Sequence, residues 1–365
     1  MRIGVIDADL IGRKRHRFPN LACMKISGYH KEQGHEVLLL TDYRHIDEYD
    51  RVFISKVFTD TPVPAWVLNR GNVEYGGTGF FFDKAPDLPN EIEHHMPDYH
   101  LYDDFIKKQM LSGVKRSEFK EYLDYSIGYT TRGCFRKCDF CVNRKYDHVF
   151  QHSPLSEFYD PSRPKICLLD DNVFGHPHWR EILSELSATG KPFKFKQGID
   201  ERLLTDEKCE MLCQAKYDGE ITFAFDNIAD YRMIEKKLQM IRRHTEKRFT
   251  FYVLVAFDHN DRWDDDFWRQ DIIDAFERIK LLMRYGCIPY IMRFERYEGS
   301  PMRGMYITLA RWCNQPSQFK KKSFREFVES IGDQSAAMRY LQDFERKHPE
   351  IARAYFDMKY EEVSP

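Results

Sequence analysis

Residues 130–146 read TTRGCFRKCDFCVNRKY and contain three closely spaced cysteines, Cys134, Cys138 and Cys141. Three thiolates in a C-x3-C-x2-C array on one loop can hold a single soft-metal site. They are too few to close a tetrahedral zinc site without a fourth ligand, whereas an iron–sulfur cube held by three cysteines keeps one iron open. The array therefore indicates a metal centre with an open coordination position, and we expect the chemistry to take place there.

The length and composition predict a folded protein with more than one domain. The chain has 365 residues, of which 42% are hydrophobic and 15% aromatic, and its formal charge is −2. Sizeable cores are therefore expected, and the charge gives no indication of nucleic-acid or membrane binding. The start reads as a strand rather than a signal peptide, and no apolar run is long enough to span a membrane. We expect a cytoplasmic protein in which metal binding, rather than disulfide formation, explains the cysteine cluster.

The first part of the chain predicts an open parallel sheet. Short apolar runs predict strands at 2–8, 36–42, 51–58 and 72–77, and a helix ends at Gly34. Alternation of strand and helix is typical of an α/β sheet whose ligands bind at the carboxyl ends of its strands. The residues expected at that edge are Asp7, Ser55, Gly76 and Gly77.

From residue 124 onward, six apolar runs alternate with helical stretches. The runs are mostly continuous, which is typical of a parallel sheet that is buried on both faces. The predicted strands lie at 124–130, 165–172, 193–199, 220–227, 249–258 and 287–294. The predicted helices lie at 176–189, 205–216, 230–245 and 264–285. Strand–helix units of this size predict a partial (β/α)6 barrel of the TIM type, with its active face at the carboxyl ends of the strands.

Polar residues follow several of these runs and are candidates for ligand binding. Asp170, Asp171 and Asn172 follow the second run, and Gln197 and Asp200 follow the third. The segment that precedes the barrel contains three histidines, which we interpret as part of a solvated linker rather than a mononuclear metal site. They are His94, His95 and His100.

A C-x3-C-x2-C loop after the first strand of a six-unit partial barrel resembles the radical S-adenosylmethionine (SAM) superfamily. Phe140, directly before the third cysteine, matches the aromatic residue that this family places beside the adenine. The resemblance covers about residues 124–295. It implies a [4Fe–4S] cluster on Cys134, Cys138 and Cys141, whose open iron binds the amino and carboxylate groups of SAM.

The resemblance also implies roles for residues at the strand ends. Asp170, Asp171 and Asn172 stand where the family has a Gly-Gly-Glu element that contacts the methionine amino group. Gln197 and Asp200 are placed to reach the ribose or the methionine carboxylate. Val255-Ala256-Phe257 resembles the element that packs on the adenine, with Ala256 at a position where glycine is commoner.

The first part of the chain resembles the cobalamin-binding domain of one branch of this superfamily. Asp7-Ala8-Asp9-Leu10-Ile11-Gly12 follows the first strand as D-x-H-x-x-G does in that domain, and Ser55 and Gly76-Gly77 follow further on. Asp9, however, stands in place of the cobalt-ligating histidine, and a carboxylate is a poor replacement for imidazole on cobalt. We therefore interpret this part as a Rossmann-like structural domain and keep cobalamin binding as an alternative.

These observations predict four segments and one function. The segments are a Rossmann-like, cobalamin-binding-type domain at 1–90, a linker at 91–123, the radical SAM barrel at 124–298 and a helical extension at 299–365. The predicted enzyme cleaves SAM reductively to a 5′-deoxyadenosyl radical that abstracts hydrogen from a substrate the sequence does not identify. Flavodoxin or ferredoxin is the expected electron donor. The alternatives are a cobalamin-dependent radical SAM methyltransferase and, in a different class, a non-catalytic metal-binding interaction protein.

Overall fold

The computed structural model describes residues 1–14, 16–258 and 260–360 and shows a mixed α/β protein with parallel sheets and many helices. The predicted α/β class is thus confirmed, while the Rossmann-like and partial-barrel arrangements stay predictions. The chain divides into two compact units, Met1–Gln197 and Gly198–Pro365. In the part of the chain that the structure describes, every helix is too short or too polar to cross a membrane.

The first unit begins with a four-stranded parallel sheet in the order β2-β1-β3-β4. Its strands are β1 (Arg2–Asp7), β2 (Glu36–Leu39), β3 (Arg51–Ser55) and β4 (Val73–Gly76). The accompanying helices are α1 (Ala8–Gly12), α2 (Leu21–Glu32), α3 (Ala65–Leu68) and α4 (Thr78–Phe81). The central strands are apolar on both faces, with Ile3, Val5 and Ile54 all buried, because a parallel sheet covers both of its faces. All four strands and α2 lie where the sequence predicts them.

Two buried carboxylates organise the edge of this sheet. The Asp7 carboxylate caps α1 and accepts a hydrogen bond of 2.9 Å from the Tyr102 hydroxyl. The Asp9 carboxylate accepts from the Val57 amide at 2.7 Å and from the Thr61 hydroxyl at 2.5 Å, which holds the loop after β3. These bonds tie the Asp9 carboxylate to the loop after β3, while the interpretation of this part as a structural domain stays a prediction.

The rest of the first unit contains a three-stranded parallel sheet and a short antiparallel ladder. The sheet, in the order β5-β8-β9, consists of β5 (Tyr125–Gly128), β8 (Lys165–Leu168) and β9 (Phe193–Phe195). The ladder pairs β6 (Thr131–Arg132) with β7 (Phe150–Gln151). The helices are α5 (Asn90–Glu93), α6 (Asp103–Leu111), α7 (Lys120–Leu123) and α8 (Trp179–Ala188).

The second unit contains another three-stranded parallel sheet, in the order β10-β11-β12. Its strands are β10 (Thr222–Ala224), β11 (Thr250–Val255) and β12 (Ile288–Arg293), and its helices are α9 (Asp206–Gln214), α10 (Tyr231–His244) and α11 (Asp265–Arg284). Thr205 caps α9 and Asp264 caps α11, as their side chains accept hydrogen bonds from first-turn amides. All six strands and four helices predicted between 124 and 294 are confirmed as elements.

The C-terminal extension is helical throughout its described part. It contains α12 (Arg303–Cys313), α13 (Pro316–Lys321), α14 (Phe324–Glu329), α15 (Ala336–Lys347) and α16 (Pro349–Tyr355). Met305 and Trp312 of α12 are buried, and Ser323 begins α14 with a reciprocal capping box.

A buried arginine fixes α11 to the ends of β10 and β11. The Arg278 guanidinium donates to the carbonyl oxygens of Phe225, Asp226 and Leu254 at 3.0, 2.9 and 2.8 Å. Hydrogen bonds of this kind satisfy backbone carbonyl groups, which are costly to bury unpaired. From the same helix, Asp271 accepts from the Ala256 amide at 2.7 Å, so the turn after β11 is held at a defined position.

Ala256 adopts a backbone conformation that favours glycine, with a φ of 61°. A non-glycine residue in this left-handed region is strained by about 1–2 kcal/mol. We expect Ala256→Gly to relieve that strain and to offset the loss of a buried methyl group, so that the free energy of unfolding stays within about 0.5 kcal/mol of wild type. Ala275→Gly, in the buried face of α11, should cost about 1–2 kcal/mol. Equal losses for both variants in urea unfolding would contradict the strain at Ala256.

Candidate metal centre

The cysteine loop starts directly after β5 and is anchored by the carboxylate of Asp170. One oxygen, Oδ2, accepts from the Thr130 amide at 3.0 Å. The other, Oδ1, accepts from the Thr130 hydroxyl at 2.5 Å and from the amide and hydroxyl of Thr131 at 2.6 and 2.7 Å. Asp170 is only 1% exposed. Four donors on one buried carboxylate fix the first two residues of the loop to the end of β8.

Asp171 holds the next part of the loop. Its carboxylate accepts from the Gly133 amide at 2.7 Å and from the side-chain amide of Asn143 at 2.6 Å. The Arg132 guanidinium lies 3.6 Å from the same carboxylate and 4.2 Å from the centre of the Tyr129 ring. The two ends of the cysteine loop are therefore joined through one acidic side chain.

Gly133 is required by the path of the loop. Its φ is 89°, and a Cβ at this position would lie 2.4 Å from the carbonyl oxygen of His148. Any other residue would have to move the backbone that pairs β6 with β7. The residue before the first cysteine is thus dictated by backbone geometry rather than by chemistry.

None of the three cysteines is in a disulfide, and each is partly exposed. Backbone amides donate to two of the sulfurs: Arg136 to the Cys134 Sγ and Asn143 to the Cys141 Sγ, both at 3.4 Å. The Asn172 side-chain amide donates to the Cys134 Sγ at 3.4 Å as well. N–H donors around sulfur stabilise thiolate ligands and tune the clusters that they bind. The donor set therefore fits an iron–sulfur cluster held by this loop.

The cysteines do not converge on a single point. Within the described residues, no three His, Cys, Asp or Glu side chains come close enough together to hold one metal ion. A [4Fe–4S] cube binds three cysteines through three different irons, so its ligands need not converge in this way.

Burial governs the electrostatics of the loop. It raises the pKa of the Cys141 thiol to about 11, although the Asn143 amide acts in the opposite direction. Burial also raises the pKa values of Asp170 and Asp171, while their hydrogen-bond donors lower them. A bound cation or cluster offsets the free-energy cost of burying a thiolate, because metal coordination favours the deprotonated form.

The predicted site residues fall into two groups, one in each unit. In the first unit, Asn172 contacts Cys134, Phe140 is half-buried within the loop, and Gln197 is exposed beyond β9. In the second unit, Asp200 accepts from the Arg202 guanidinium at 2.6 Å, and Ala256 occupies the strained turn after β11. Ligand contacts by these residues, and by Asp170 and Asp171, stay predictions.

The three linker histidines each pair with a different acidic residue. His94 contacts Glu157, His95 contacts Glu32 and His100 contacts Asp103, each at 2.8 Å. The interpretation of this segment as a linker rather than a mononuclear metal site stays a prediction.

Two structural features, one in each unit, were not predicted from the sequence. The Thr130-Thr131 pair supplies the donors that anchor the loop, and the signal for it was two adjacent hydroxyl residues directly after a strand. Glu201 is 1% exposed, and burial raises its pKa to about 8, with Asp200 adding to the effect. Its Oε2 accepts from the Ala224 amide at 3.2 Å. Nothing in the sequence distinguished Glu201 from its acidic neighbour.

Comparison with protein-family models finds no match, and comparison with curated proteins finds none either. Among solved structures, two alignments are to the cobalamin-dependent S-adenosylmethionine radical enzyme OxsB. The form with aqua-cobalamin and S-adenosylmethionine bound gives a TM-score of 0.36 at 11% identity, and the apo, selenomethionine-labelled form gives 0.38 at 13%. Both alignments cover the whole of this chain but only 57% of the enzyme chain. With TM-scores below 0.5, this likeness does not by itself establish the fold or the function.

We expect Asp170→Asn to release one end of the anchor. The amide oxygen can replace Oδ1, which has three donors, but the new NH2 group then faces the Thr130 amide. The lost hydrogen bond should cost about 1–3 kcal/mol. Hydrogen exchange followed by NMR should show faster exchange at the Thr130 amide than at the Thr131 amide. Asp147→Asn, at an exposed position of the same loop, should leave both unchanged, and unchanged exchange in Asp170→Asn would disprove the anchor.

Glu201 predicts a pH dependence of stability. Its folded-state pKa of about 8 lies above the unfolded value, so the unfolded chain loses this proton first and stability falls as pH rises from about 4.5 to 8. Glu201→Gln keeps a neutral acceptor for Ala224 and removes this loss. In urea unfolding, its stability relative to wild type should rise by about 1 kcal/mol or more between pH 5 and pH 8.

The control for this pH dependence is Glu207→Gln, at an exposed position in the first turn of α9. Its stability relative to wild type should stay constant over the same pH range. A constant difference for Glu201→Gln as well would show that Glu201 is already ionised at pH 5.

Proposed function

We propose that this chain is a radical SAM enzyme in which Cys134, Cys138 and Cys141 hold a [4Fe–4S] cluster. The observation that carries the proposal is the construction of the loop. Three cysteines outside any disulfide lie on one segment, two neighbouring carboxylates anchor that segment, and N–H groups donate to two of the sulfurs. Such a loop supports the binding of a cluster with one open iron.

Cys134, Cys138 and Cys141 would hold the cluster, which would supply an open iron for SAM and the electron for reductive cleavage of SAM to the hydrogen-abstracting 5′-deoxyadenosyl radical. The chain's own residues bind and orient the cofactors and the substrate, and they shield the site from water. The Cys134 sulfur accepts hydrogen bonds from two N–H groups, those of Arg136 and Asn172, which orient it. A flavodoxin or a ferredoxin is the proposed electron donor.

The carboxylates of the strand end have a positioning role in this proposal. Asp170 and Asp171 hold Thr130, Thr131 and Gly133, so they act on the cluster through the loop. Asn172 already reaches Cys134 and is the member of this segment that we assign to the methionine amino group. Phe140, between the second and third cysteines, is assigned to the adenine.

The proposal does not include a cobalamin step. Asp9, at the position of the family's cobalt-ligating histidine, is fully buried and accepts hydrogen bonds from Val57 and Thr61. Ser55 accepts a hydrogen bond from the Asn20 side chain at 3.0 Å. These contacts support a structural role for both residues, so the reaction that we propose releases 5′-deoxyadenosine without methyl transfer from cobalt.

Anaerobic reconstitution with iron and sulfide tests the assignment. Wild-type protein should become brown, bind about four irons and release 5′-deoxyadenosine from SAM when reduced with dithionite. Cys138→Ala should abolish 5′-deoxyadenosine release, because the cluster loses one of three ligands. Cys213→Ala, a partly exposed thiol of α9, should match wild type. A colourless zinc protein, or full activity in Cys138→Ala, would refute the proposal and favour a metal-binding interaction protein.

A further inference from the structure

The order of the N-terminal sheet creates a crevice between β1 and β3. The chain leaves β1 towards β2 on one side, and it leaves β3 towards β4 on the other side. The last residues of the two strands, Asp7 and Ser55, are paired in register. In open α/β sheets, ligands bind at the carboxyl ends of the strands where the connections diverge in this way. The loops that follow β1 and β3 therefore border the position where a ligand is expected.

A cleft of about 560 Å³ lies at this edge and is lined by these two loops. This volume is in the range of small-molecule sites. The loop after β1 contributes Arg13, Lys14, His16 and Arg17, and the loop after β3 contributes Phe58 and Asp60. Three of these side chains are cationic and one is a carboxylate. The cleft therefore has an excess of positive charge and attracts anions.

The cationic groups are held in different ways. The Arg13 guanidinium lies 4.2 Å from the centre of the Phe58 ring and 2.5 Å from the Asp60 carboxylate. The Arg17 guanidinium donates to the His16 carbonyl oxygen at 2.7 Å. Its Nε is buried and has no hydrogen-bond acceptor among the described residues, whereas Lys14 is exposed. Arg17 thus has an unsatisfied donor, and Lys14 extends into solvent.

Negative charge near the cleft is already engaged. Asp9 accepts from Val57 and Thr61 behind the loop after β3, and Asp60 pairs with Arg13. An incoming anion therefore competes with Asp60 for Arg13 but meets the exposed Lys14 directly, and Arg17 lines the same cleft.

We propose that this cleft binds a small molecule that carries a phosphate group, with Lys14 and Arg17 as direct donors and Arg13 as a donor that Asp60 partly occupies. A phosphate oxyanion offers several acceptors to a guanidinium and an ammonium group at once, which a single hydroxyl or amide does not. The site lies in the first sheet and does not depend on the cluster loop. Its success or failure is therefore separate from that of the radical SAM assignment.

Isothermal titration of the full-length protein at low salt tests the site with inorganic pyrophosphate, adenosine 5′-monophosphate and adenosine. The first two should bind, and adenosine should not. Lys14→Ala should weaken binding about tenfold, because a charge-assisted hydrogen bond is lost. Asp60→Asn should strengthen it several-fold, because Arg13 is released. Lys107→Ala, which removes an exposed charge on α6, should have no effect.

The two phosphate probes separate the sources of the ligand. Binding of pyrophosphate alone assigns the cleft to an inorganic anion, and binding of the nucleotide assigns it to an organic phosphate; both support the proposal if Lys14→Ala weakens them. The proposal is overturned if neither probe binds, if adenosine binds as tightly as its monophosphate, or if Lys14→Ala and Lys107→Ala have equal affinities. The Asp60→Asn variant controls for misfolding. A damaged fold would weaken binding, whereas this variant is expected to bind the probes more tightly.

Discussion

The carboxylate of Asp170 is the interaction on which the cysteine loop depends. A buried carboxylate is expensive unless donors surround it, and here the amides and hydroxyls of Thr130 and Thr131 supply four of them. The same contacts fix the direction in which the chain leaves β5. Cys134 follows three residues after Thr131, so this bond network fixes the backbone that leads into the cysteine loop.

Three consecutive residues shortly after β8, Asp170, Asp171 and Asn172, each hold a different part of the cysteine loop. Asp170 fixes the start of the loop, Asp171 joins its start to its far end through Gly133 and Asn143, and Asn172 reaches the sulfur of Cys134. Ion pairs at the surface add less, because solvent screens them; Arg144 with Asp83 and Lys145 with Asp87 are of this kind. A loop held in this way keeps its thiols available, which is what a cluster with an open iron requires.

Much of the fold was predictable because continuous apolar runs and capping residues are local signals. Such signals predict the strands around Ile54 and Ile166 and the start of α9 at Thr205. The cysteine array was equally visible. The inward turn of Asp170 and Asp171 was not, because half of its donors are backbone amides, which carry no sequence signal, and the others lie about 30 to 40 residues away in the sequence. The burial of Asp9 depends on a loop about 50 residues away, and the φ of Ala256 on its contact with α11.

The central claim is that the loop holds a cluster whose open iron binds SAM. Electron paramagnetic resonance of the anaerobically reconstituted, dithionite-reduced protein, recorded with and without SAM, tests it most directly. The claim predicts a [4Fe–4S]+ signal whose g values change when SAM is added, because the open iron gains new ligands. An absent signal, or a signal that SAM does not alter, would contradict it.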